Sequence, residues 1–125
     1  MISFEKFIIE DGSPIYQQIL LHIKRGIVAG TVVDGDELPS RRFLSALLGV
    51  NPNTVQKAYK MLEDEELILS HSGAKSCMLL DQEKTEKVRA ELINSDASDI
   101  VKKLRVMGIT KEEALMLVEN FWDMD

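Results

Sequence analysis

Apolar side chains recur along most of this chain at the spacing of amphipathic helices. The clearest case is a row at four-residue intervals, which places its members on one face of a helix: Ile15, Ile19, Ile23 and Ile27. Ser13 and Pro14 precede this row and predict the N-cap and the first position of the helix, and Gly30 predicts its end. We therefore expect a core-facing helix after an extended arm of residues 1–13.

The next two apolar groups are shorter and predict a pair of helices joined by a tight turn. Ser40 is suited to cap the first helix, whose apolar side is formed by Phe43, Leu44, Leu47 and Leu48. Gly49 can take the left-handed conformation that ends a helix, and Asn51 and Pro52 suit the N-cap and first position of the second helix. That helix is expected to end near residue 66 and to bury Val55, Ala58, Tyr59 and Leu62.

A hairpin is predicted after the helix pair. Residues 67–71 and 76–80 are β-prone runs on either side of a polar turn. Three helices followed by a hairpin form a winged helix-turn-helix, which we assign to residues 1–80 together with the N-terminal arm. The expected fold class is mainly α with a small β-hairpin.

Residues 81–125 predict two further helices. A long charged helix is expected over residues 82–107, Gly108 predicts a break, and the capping-box pair Thr110 and Glu113 opens the last helix. Two amphipathic helices cannot enclose all the apolar side chains they carry, so we expect them to pack on each other and on a second copy of the chain. The expected dimerisation residues are Val88, Leu92, Ile100, Leu104, Leu115, Val118, Phe121 and Trp122.

The N-terminal end of the second short helix carries the candidate chemistry. A helix that hides its apolar residues and exposes polar ones at this end suits a DNA major groove, and the exposed residues here are Asn53, Thr54, Gln56 and Lys57. Arg42 projects from the first turn of the preceding helix, where a guanidinium can reach a phosphate or a guanine. Arg41 is expected either to contact the phosphate backbone or to be solvated. Ser40 caps its helix, and a phosphate can bind at that helix N-terminus.

Charge and composition exclude several classes of function. The net charge is −6, but residues 14–80 carry seven basic and seven acidic side chains, so their formal charge is zero and the electrostatic part of DNA binding should be modest. Cys77 is the only cysteine, and with two histidines it forms no metal-site spacing. No apolar run is long enough to span a membrane, and no signal-peptide or catalytic pattern is present. These features predict a cytoplasmic protein that is not an enzyme and needs no cofactor.

Many separated residues, in order and spacing, resemble the GntR family of bacterial transcription regulators. The matching residues are Pro14, Tyr16-Gln17-Gln18-Ile19, Gly35-Asp36-Glu37-Leu38-Pro39-Ser40, Arg42, Leu48-Gly49-Val50, Thr54-Val55, Ala58-Tyr59 and Leu62. Residues 51–59 are most similar to the YtrA branch, which has a short two-helix C-terminal region. The resemblance implies a homodimer on a double-stranded DNA operator of two inverted half-sites. It also implies DNA contacts at Ser40, Arg42, Asn51, Pro52, Asn53, Thr54, Gln56 and Gly73.

The chain departs from the family pattern in two places. One is the end of the second short helix, which is the recognition helix of the family, and the other is the wing, residues 71–78 of the hairpin. Glu66 stands where a glycine is usual, and the wing lacks the usual arginines and second glycine, so Lys75 and His71 are its candidate phosphate contacts. Our first hypothesis is a transcription repressor, and the YtrA branch is associated with transporter operons. The alternative is a protein–protein adaptor that keeps the winged-helix fold and has little DNA affinity. A small-molecule effector, if one exists, is expected to bind between the C-terminal helices and the winged domain.

Overall fold

The computed structural model describes residues 1–70 and 75–124. Within them it contains five helices and two strands: α1 (Ile15–Ala29), α2 (Arg41–Leu48), α3 (Pro52–Asp64), β1 (Ile68–Ser70), β2 (Ser76–Met78), α4 (Gln82–Val106) and α5 (Lys111–Trp122). The strands form a small antiparallel sheet, so the predicted fold class is confirmed. The chain forms two compact units, Met1–Ala90 and Glu91–Asp125.

Helices α1 and α3 supply the centre of the core of the first unit. Side chains from the predicted apolar faces of these helices are almost completely buried, among them Ile19, Ile23, Val55, Tyr59 and Leu62. The N-terminal arm belongs to the same core, because Phe4 is buried and its ring centroid lies 4.5 Å from that of His22 on α1. Nε2 of His22 is also 2.9 Å from the carbonyl oxygen of Ser3. The arm is therefore fixed on α1.

The predicted ends of the short helices are confirmed. Oγ of Ser40 accepts the N–H of Phe43 at 3.0 Å, and Oδ1 of Asn51 accepts the N–H of Asn53 at 2.8 Å. Gly49 ends α2 with a φ of 68°, in the left-handed region that favours glycine. These caps fix where the two helices begin and how sharply the chain turns between them.

The start of α1 differs from the prediction. Pro14 is the N-cap and not the first helical residue, and the helix has no side-chain cap. The carbonyl oxygen of Pro14 accepts the N–H groups of Gln17 and Gln18 at 3.1 and 3.3 Å. Ser13 contributes its carbonyl oxygen, which accepts Nε2 of Gln18 at 2.9 Å. Backbone carbonyls thus organise the turn that the serine hydroxyl was expected to cap.

Helix α2 buries a narrower face than predicted. Leu44 is fully buried, but Phe43 and Leu47, which were expected on the same apolar side, are 55% and 54% exposed. Residues 43 and 47 share a stripe rotated by about 100° from that of Leu44. Ser45 is also buried on this face. Its hydroxyl can be buried because it donates to the carbonyl oxygen of Arg42 at 3.0 Å.

A left-handed residue ends α3. Glu66 has a φ of 60°, and its N–H donates to the carbonyl oxygen of Glu63 at 2.9 Å. The N–H of Leu67 donates to the carbonyl oxygen of Leu62, also at 2.9 Å. These two bonds form a Schellman motif, in which glycine is the usual left-handed residue. Glu66 therefore makes the turn that a glycine makes in the family pattern.

The predicted hairpin is confirmed in its described part, where β1 and β2 pair antiparallel. The other edge of β2 is also paired. The N–H of Met78 donates to the carbonyl oxygen of Asp36 at 2.8 Å, and the carbonyl oxygen of Ser76 accepts the N–H of Leu38 at 2.9 Å. The loop before α2 thus lies along β2 as a third extended segment. Gly73, the predicted wing contact, lies outside the described residues.

The first turns of α4 belong to the first unit. Nζ of Lys84 donates to the carbonyl oxygens of Glu66 at 2.6 Å and Leu79 at 3.2 Å, and Val88 is buried in the core. For this reason the first compact unit extends through Ala90 and includes the start of α4.

Helix α5 keeps its apolar residues at the surface of this one chain. Oγ1 of Thr110 accepts the N–H of Glu113 at 3.2 Å, as the capping prediction requires. No described residue of α5 is buried. Leu117 is partly exposed, and the other large apolar side chains of the helix are between 47% and 79% exposed: Leu115, Met116, Val118, Phe121 and Trp122.

Candidate nucleic-acid interface

The N-terminal end of α3 presents a polar surface. Thr54 is partly exposed, and the more exposed residues are Asn51, Pro52, Asn53, Gln56 and Lys57. On the opposite side the apolar residues of the helix are buried, so the core fixes the backbone that carries this surface. The structure therefore brings these predicted DNA-binding residues together, and their contact with DNA stays a prediction.

The first turn of α2 carries a second group of predicted residues. Ser40 is exposed and caps the helix, and the other N–H groups of the first turn have no partner within the helix and can meet a phosphate. Arg42 is exposed, and its side chain forms no hydrogen bond or ion pair with the described part of the chain. Its guanidinium is thus available for bidentate pairing with a phosphate or a guanine edge.

Arg41 has partners inside the chain. Its guanidinium carbon lies 5.0 Å from the centroid of the Tyr59 ring, within the range of a cation–π contact. Its Nε–H donates to Oε1 of Gln56 on α3. Arg41 thus links α2 to an exposed amide of the polar surface, a contact that neither of its two sequence-based alternatives included.

Tyr59 forms a buried platform under this link. The ring is 1% exposed, and its hydroxyl donates to the carbonyl oxygen of Pro39 at 2.7 Å. Burial raises the pKa of the Tyr59 phenol far above its usual range, and the positive charge of Arg41 lowers it to a smaller extent. The phenol stays protonated and keeps the segment before α2 attached to α3. The predicted core position of Tyr59 is confirmed.

Two lysines that were predicted to bind DNA also have partners within the chain. Nζ of Lys57 lies 4.0 Å from the centroid of the Tyr16 ring, and Nζ of Lys75 lies 3.4 Å from Oε2 of Glu37. Contacts of this kind at the surface are worth about 1 kcal/mol or less. Both ammonium groups can therefore exchange these partners for a phosphate at little cost.

The acidic end of α3 is partly neutralised within the chain. Nζ of Lys60 lies 2.9 Å from Oδ1 of Asp64, and Nζ of Lys24 lies 2.7 Å from Oε1 of Glu65. The hydrogen bond to Asp64, together with the negative charges of Asp64 and Glu63, raises the pKa of Lys60. A helix of 13 residues is about 20 Å long, so these carboxylates lie far from its polar N-terminal end.

The predicted dimerisation residues differ in exposure. Val88 is buried in the core of the first unit, Leu92 is buried, and Leu104 is partly exposed. The remaining members are exposed in the single chain: Ile100, Leu115, Val118, Phe121 and Trp122. Only these exposed side chains, and part of Leu104, are free to meet a second copy, and that contact stays a prediction.

Sequence reasoning missed the link between Arg41 and Gln56. One signal was present: Gln56 and Tyr59 stand three residues apart on a helix and are neighbours on its surface, so a side chain that reaches one can reach the other.

Among the residues that the structure describes, no group of three or more His, Cys, Asp or Glu side chains is placed to hold a metal ion. Within residues 1–70 and 75–124, every helix is too short or too polar to span a bilayer.

Known proteins similar to this chain are regulators. The family model described as bacterial regulatory proteins of the gntR family matches residues 15–75. An uncharacterized HTH-type transcriptional regulator, YhcF of Bacillus subtilis (strain 168), is 30% identical over 112 residues, which cover 90% of this chain and 93% of that protein. The HTH-type transcriptional repressor YtrA of the same organism is 46% identical over 61 residues, which cover 49% of this chain and 47% of that protein.

A solved structure extends the similarity to most of the fold. The GntR family transcriptional regulator from Listeria monocytogenes aligns with a TM-score of 0.78 at 33% identity, over 90% of this chain and 98% of that chain. The similar proteins are named as transcriptional regulators, which confirms the prediction of a regulator and not an enzyme. The family resemblance and the similarity to YtrA, drawn from the residues alone, are likewise confirmed. The chain belongs to the GntR family of bacterial regulatory proteins and is a YtrA-like, DNA-binding transcription regulator.

Proposed function

We propose that this regulator is a repressor that binds an inverted-repeat operator as a homodimer. The observation that carries the proposal is the polar N-terminal end of α3, which is exposed while the apolar face of the same helix is fixed in the core. Polar side chains at the start of a helix held in this way can enter a major groove and meet base edges. The base-reading residues are then Asn53, Thr54 and Gln56.

The remaining polar residues hold the protein in register on the duplex. Ser40 and the N-terminus of α2 meet a phosphate, and Arg42 pairs with a phosphate or a guanine. The rest of the proposed contact surface consists of Arg41, Asn51, Pro52, Lys57, Gly73 and Lys75. Since residues 14–80 have no net formal charge, these few contacts supply the electrostatic attraction in place of a broad basic surface.

Dimerisation supplies the two-fold symmetry that an inverted repeat requires. Its proposed surface is the exposed apolar set of the C-terminal helices, centred on Phe121 and Trp122, which are 60% and 79% exposed in one chain. Large aromatic side chains of this kind carry much of the energy of protein interfaces. Joining two DNA-reading units makes the second half-site contact intramolecular, so a weakly charged surface can still bind tightly.

The biological setting follows from the resemblance. A repressor of this branch acts on promoter DNA in the cytoplasm, and we propose a transporter operon as its target. It needs no cofactor, and a small-molecule effector would act by favouring one of two states of the dimer.

Footprinting on the promoter of its own gene tests the proposal. We expect two protected half-sites related by inversion, with centres about one helical turn, roughly 34–36 Å, apart. Scrambling one half-site should greatly weaken binding measured by fluorescence anisotropy. Protection of one asymmetric site, with full affinity after half of it is scrambled, would contradict the proposal.

The alternative function is a protein–protein adaptor with a winged-helix fold. Two observations favour it: residues 14–80 carry no net charge, and Arg41, Lys57 and Lys75 all have partners within the chain. An adaptor would show no sequence-specific binding to its promoter and no linear fall of log affinity with log salt. A repressor shows both.

A further inference from the structure

We propose that Arg41 is a positioning residue for base recognition. It turns the oxygen of the Gln56 amide toward itself, so that the NH₂ group of Gln56 faces the DNA and selects guanine at one position of each half-site. This inference rests on the proposed function, because it takes the N-terminal end of α3 as the surface that reads DNA.

The first step is that Arg41 itself is held in place. Its guanidinium lies over the Tyr59 ring at 5.0 Å, and that ring is 1% exposed. The Tyr59 hydroxyl donates to the carbonyl oxygen of Pro39 at 2.7 Å, two residues before Arg41 along the chain. The platform is thus tied both to α3 and to the start of α2. These contacts favour one position of a long arginine side chain that is ordinarily mobile.

The second step is the orientation of the Gln56 amide. The Nε–H of Arg41 donates to Oε1 of Gln56, and Gln56 is exposed. The oxygen and nitrogen of an amide point in different directions from its trigonal carbonyl carbon, so an oxygen turned toward Arg41 leaves the NH₂ group pointing in another direction. This group presents two donors and no acceptor.

The third step is the match to base edges. Guanine presents two acceptors in the major groove, N7 and O6, whereas thymine presents one acceptor, cytosine a donor, and adenine one acceptor and one donor. The usual glutamine–adenine pair needs both the oxygen and the nitrogen of the amide turned to the base. A Gln56 whose oxygen already accepts the Nε–H of Arg41 presents its NH₂ group to the groove, and guanine is the base that best accepts two donors. The other N–H groups of Arg41 stay available for a phosphate.

The test is binding-site selection from a randomised DNA duplex pool with the intact chain. Gln56→Leu identifies the base position that depends on Gln56, and the wild type should prefer guanine there. Arg41→Met should lower the ratio of guanine to adenine affinity at this position by about fivefold or more. Lys57→Met is the matched control: it removes the same charge next to Gln56, but Lys57 contacts Tyr16, so it should weaken all sequences and leave the ratio unchanged.

Two further variants separate positioning from a structural role. In the Gln56→Leu background, Arg41→Met should produce no additional change in the ratio, because the coupling partner is gone. Gln56→Glu keeps an acceptor for Arg41 and removes both donors, so it should replace the guanine preference with cytosine. Thermal melts of each variant show that the fold is intact, and Gln56→Glu serves if Arg41→Met does not fold.

The outcomes are distinguishable. A wild type that enriches no sequence would overturn the proposed function and the inference together. A clear consensus whose guanine preference survives Arg41→Met or Gln56→Glu would overturn the inference alone. So would adenine at the Gln56-dependent position of the wild type.

Discussion

Nζ of Lys84 donates to the carbonyl oxygen of Glu66 at 2.6 Å, so a side chain of α4 holds the turn between α3 and β1. Glu66 is the one described non-glycine residue with a positive φ, at 60°. The left-handed conformation costs an L-residue roughly 1–2 kcal/mol. The ammonium of Lys84 offsets part of this cost because it satisfies a carbonyl that the Schellman turn leaves outside the helix.

Glu66→Gly should stabilise the protein by about 0.5–1 kcal/mol. Glycine removes the steric cost of the left-handed backbone, and the larger entropy of glycine in the unfolded chain cancels part of the gain. Urea denaturation followed by circular dichroism, at one protein concentration, measures the difference. Glu65→Gly is the control: the φ of Glu65 is −85°, so glycine relieves no strain there, and the variant also loses the ion pair with Lys24, so it should destabilise the protein. Equal effects at the two positions would contradict the assignment of strain to Glu66.

Gly26→Ala should destabilise the protein by about 1–3 kcal/mol, although alanine favours helix. A Cβ at position 26 of α1 would lie 2.5 Å from Cγ2 of Val32, which is 6% exposed and has little room to move. Thermal or urea unfolding measures the loss.

A second substitution isolates the cause of that loss. Val32→Ala removes the atom that a Cβ at position 26 would meet, so the double variant should be more stable than the sum of the two single effects predicts. Strict additivity would show that the destabilisation has another origin.

Arg42→Ala should weaken specific operator binding by roughly 1–3 kcal/mol if the guanidinium pairs with a base edge. Arg42 has no described intramolecular partner, so its removal should leave folding unchanged.

Lys75→Ala should weaken the binding of all DNA sequences about equally and flatten the salt dependence of that binding. Fluorescence anisotropy over a salt series measures both effects, and operator affinity unchanged by Arg42→Ala would rule out the assigned contact.

Replacing Phe121 and Trp122 together with serine should convert a dimer to a monomer at micromolar concentration. Both side chains are exposed in the single chain, so their loss should remove interface contacts without opening the core of the first unit. Analytical ultracentrifugation of the intact chain measures the mass. Lys111→Ser, at the exposed start of the same helix, is the control and should remain dimeric. A wild type that sediments as a monomer would exclude this mode of assembly.

Local chemistry explains why much of the fold was predictable. Ser40, Gly49 and Asn51 specify helix ends through their own backbone and side-chain bonds, which require only near neighbours. The isoleucine row of α1 and the apolar face of α3 follow from helical periodicity in the same way. These features also placed the polar surface at the start of α3.

The differences arise where distant residues decide the outcome. Phe43 and Leu44 were both expected on the apolar side of α2, but the orientation of α2 on the core buries only Leu44 of the two. Gln56 lies 15 residues from Arg41, and Glu66 lies 18 residues from Lys84, so no local pattern predicts these two contacts. Side chains that reach across elements depend on packing, which a single sequence does not display.

The pairing of the loop before α2 with β2 has a consequence for solubility. An open strand edge exposes unpaired N–H and C=O groups that can template pairing with other chains. Here the carbonyl of Asp36 and the N–H of Leu38 occupy that edge of β2, and three-residue strands leave only a short free edge on β1. The described strands of the hairpin are thus protected against pairing with another chain along this edge of β2.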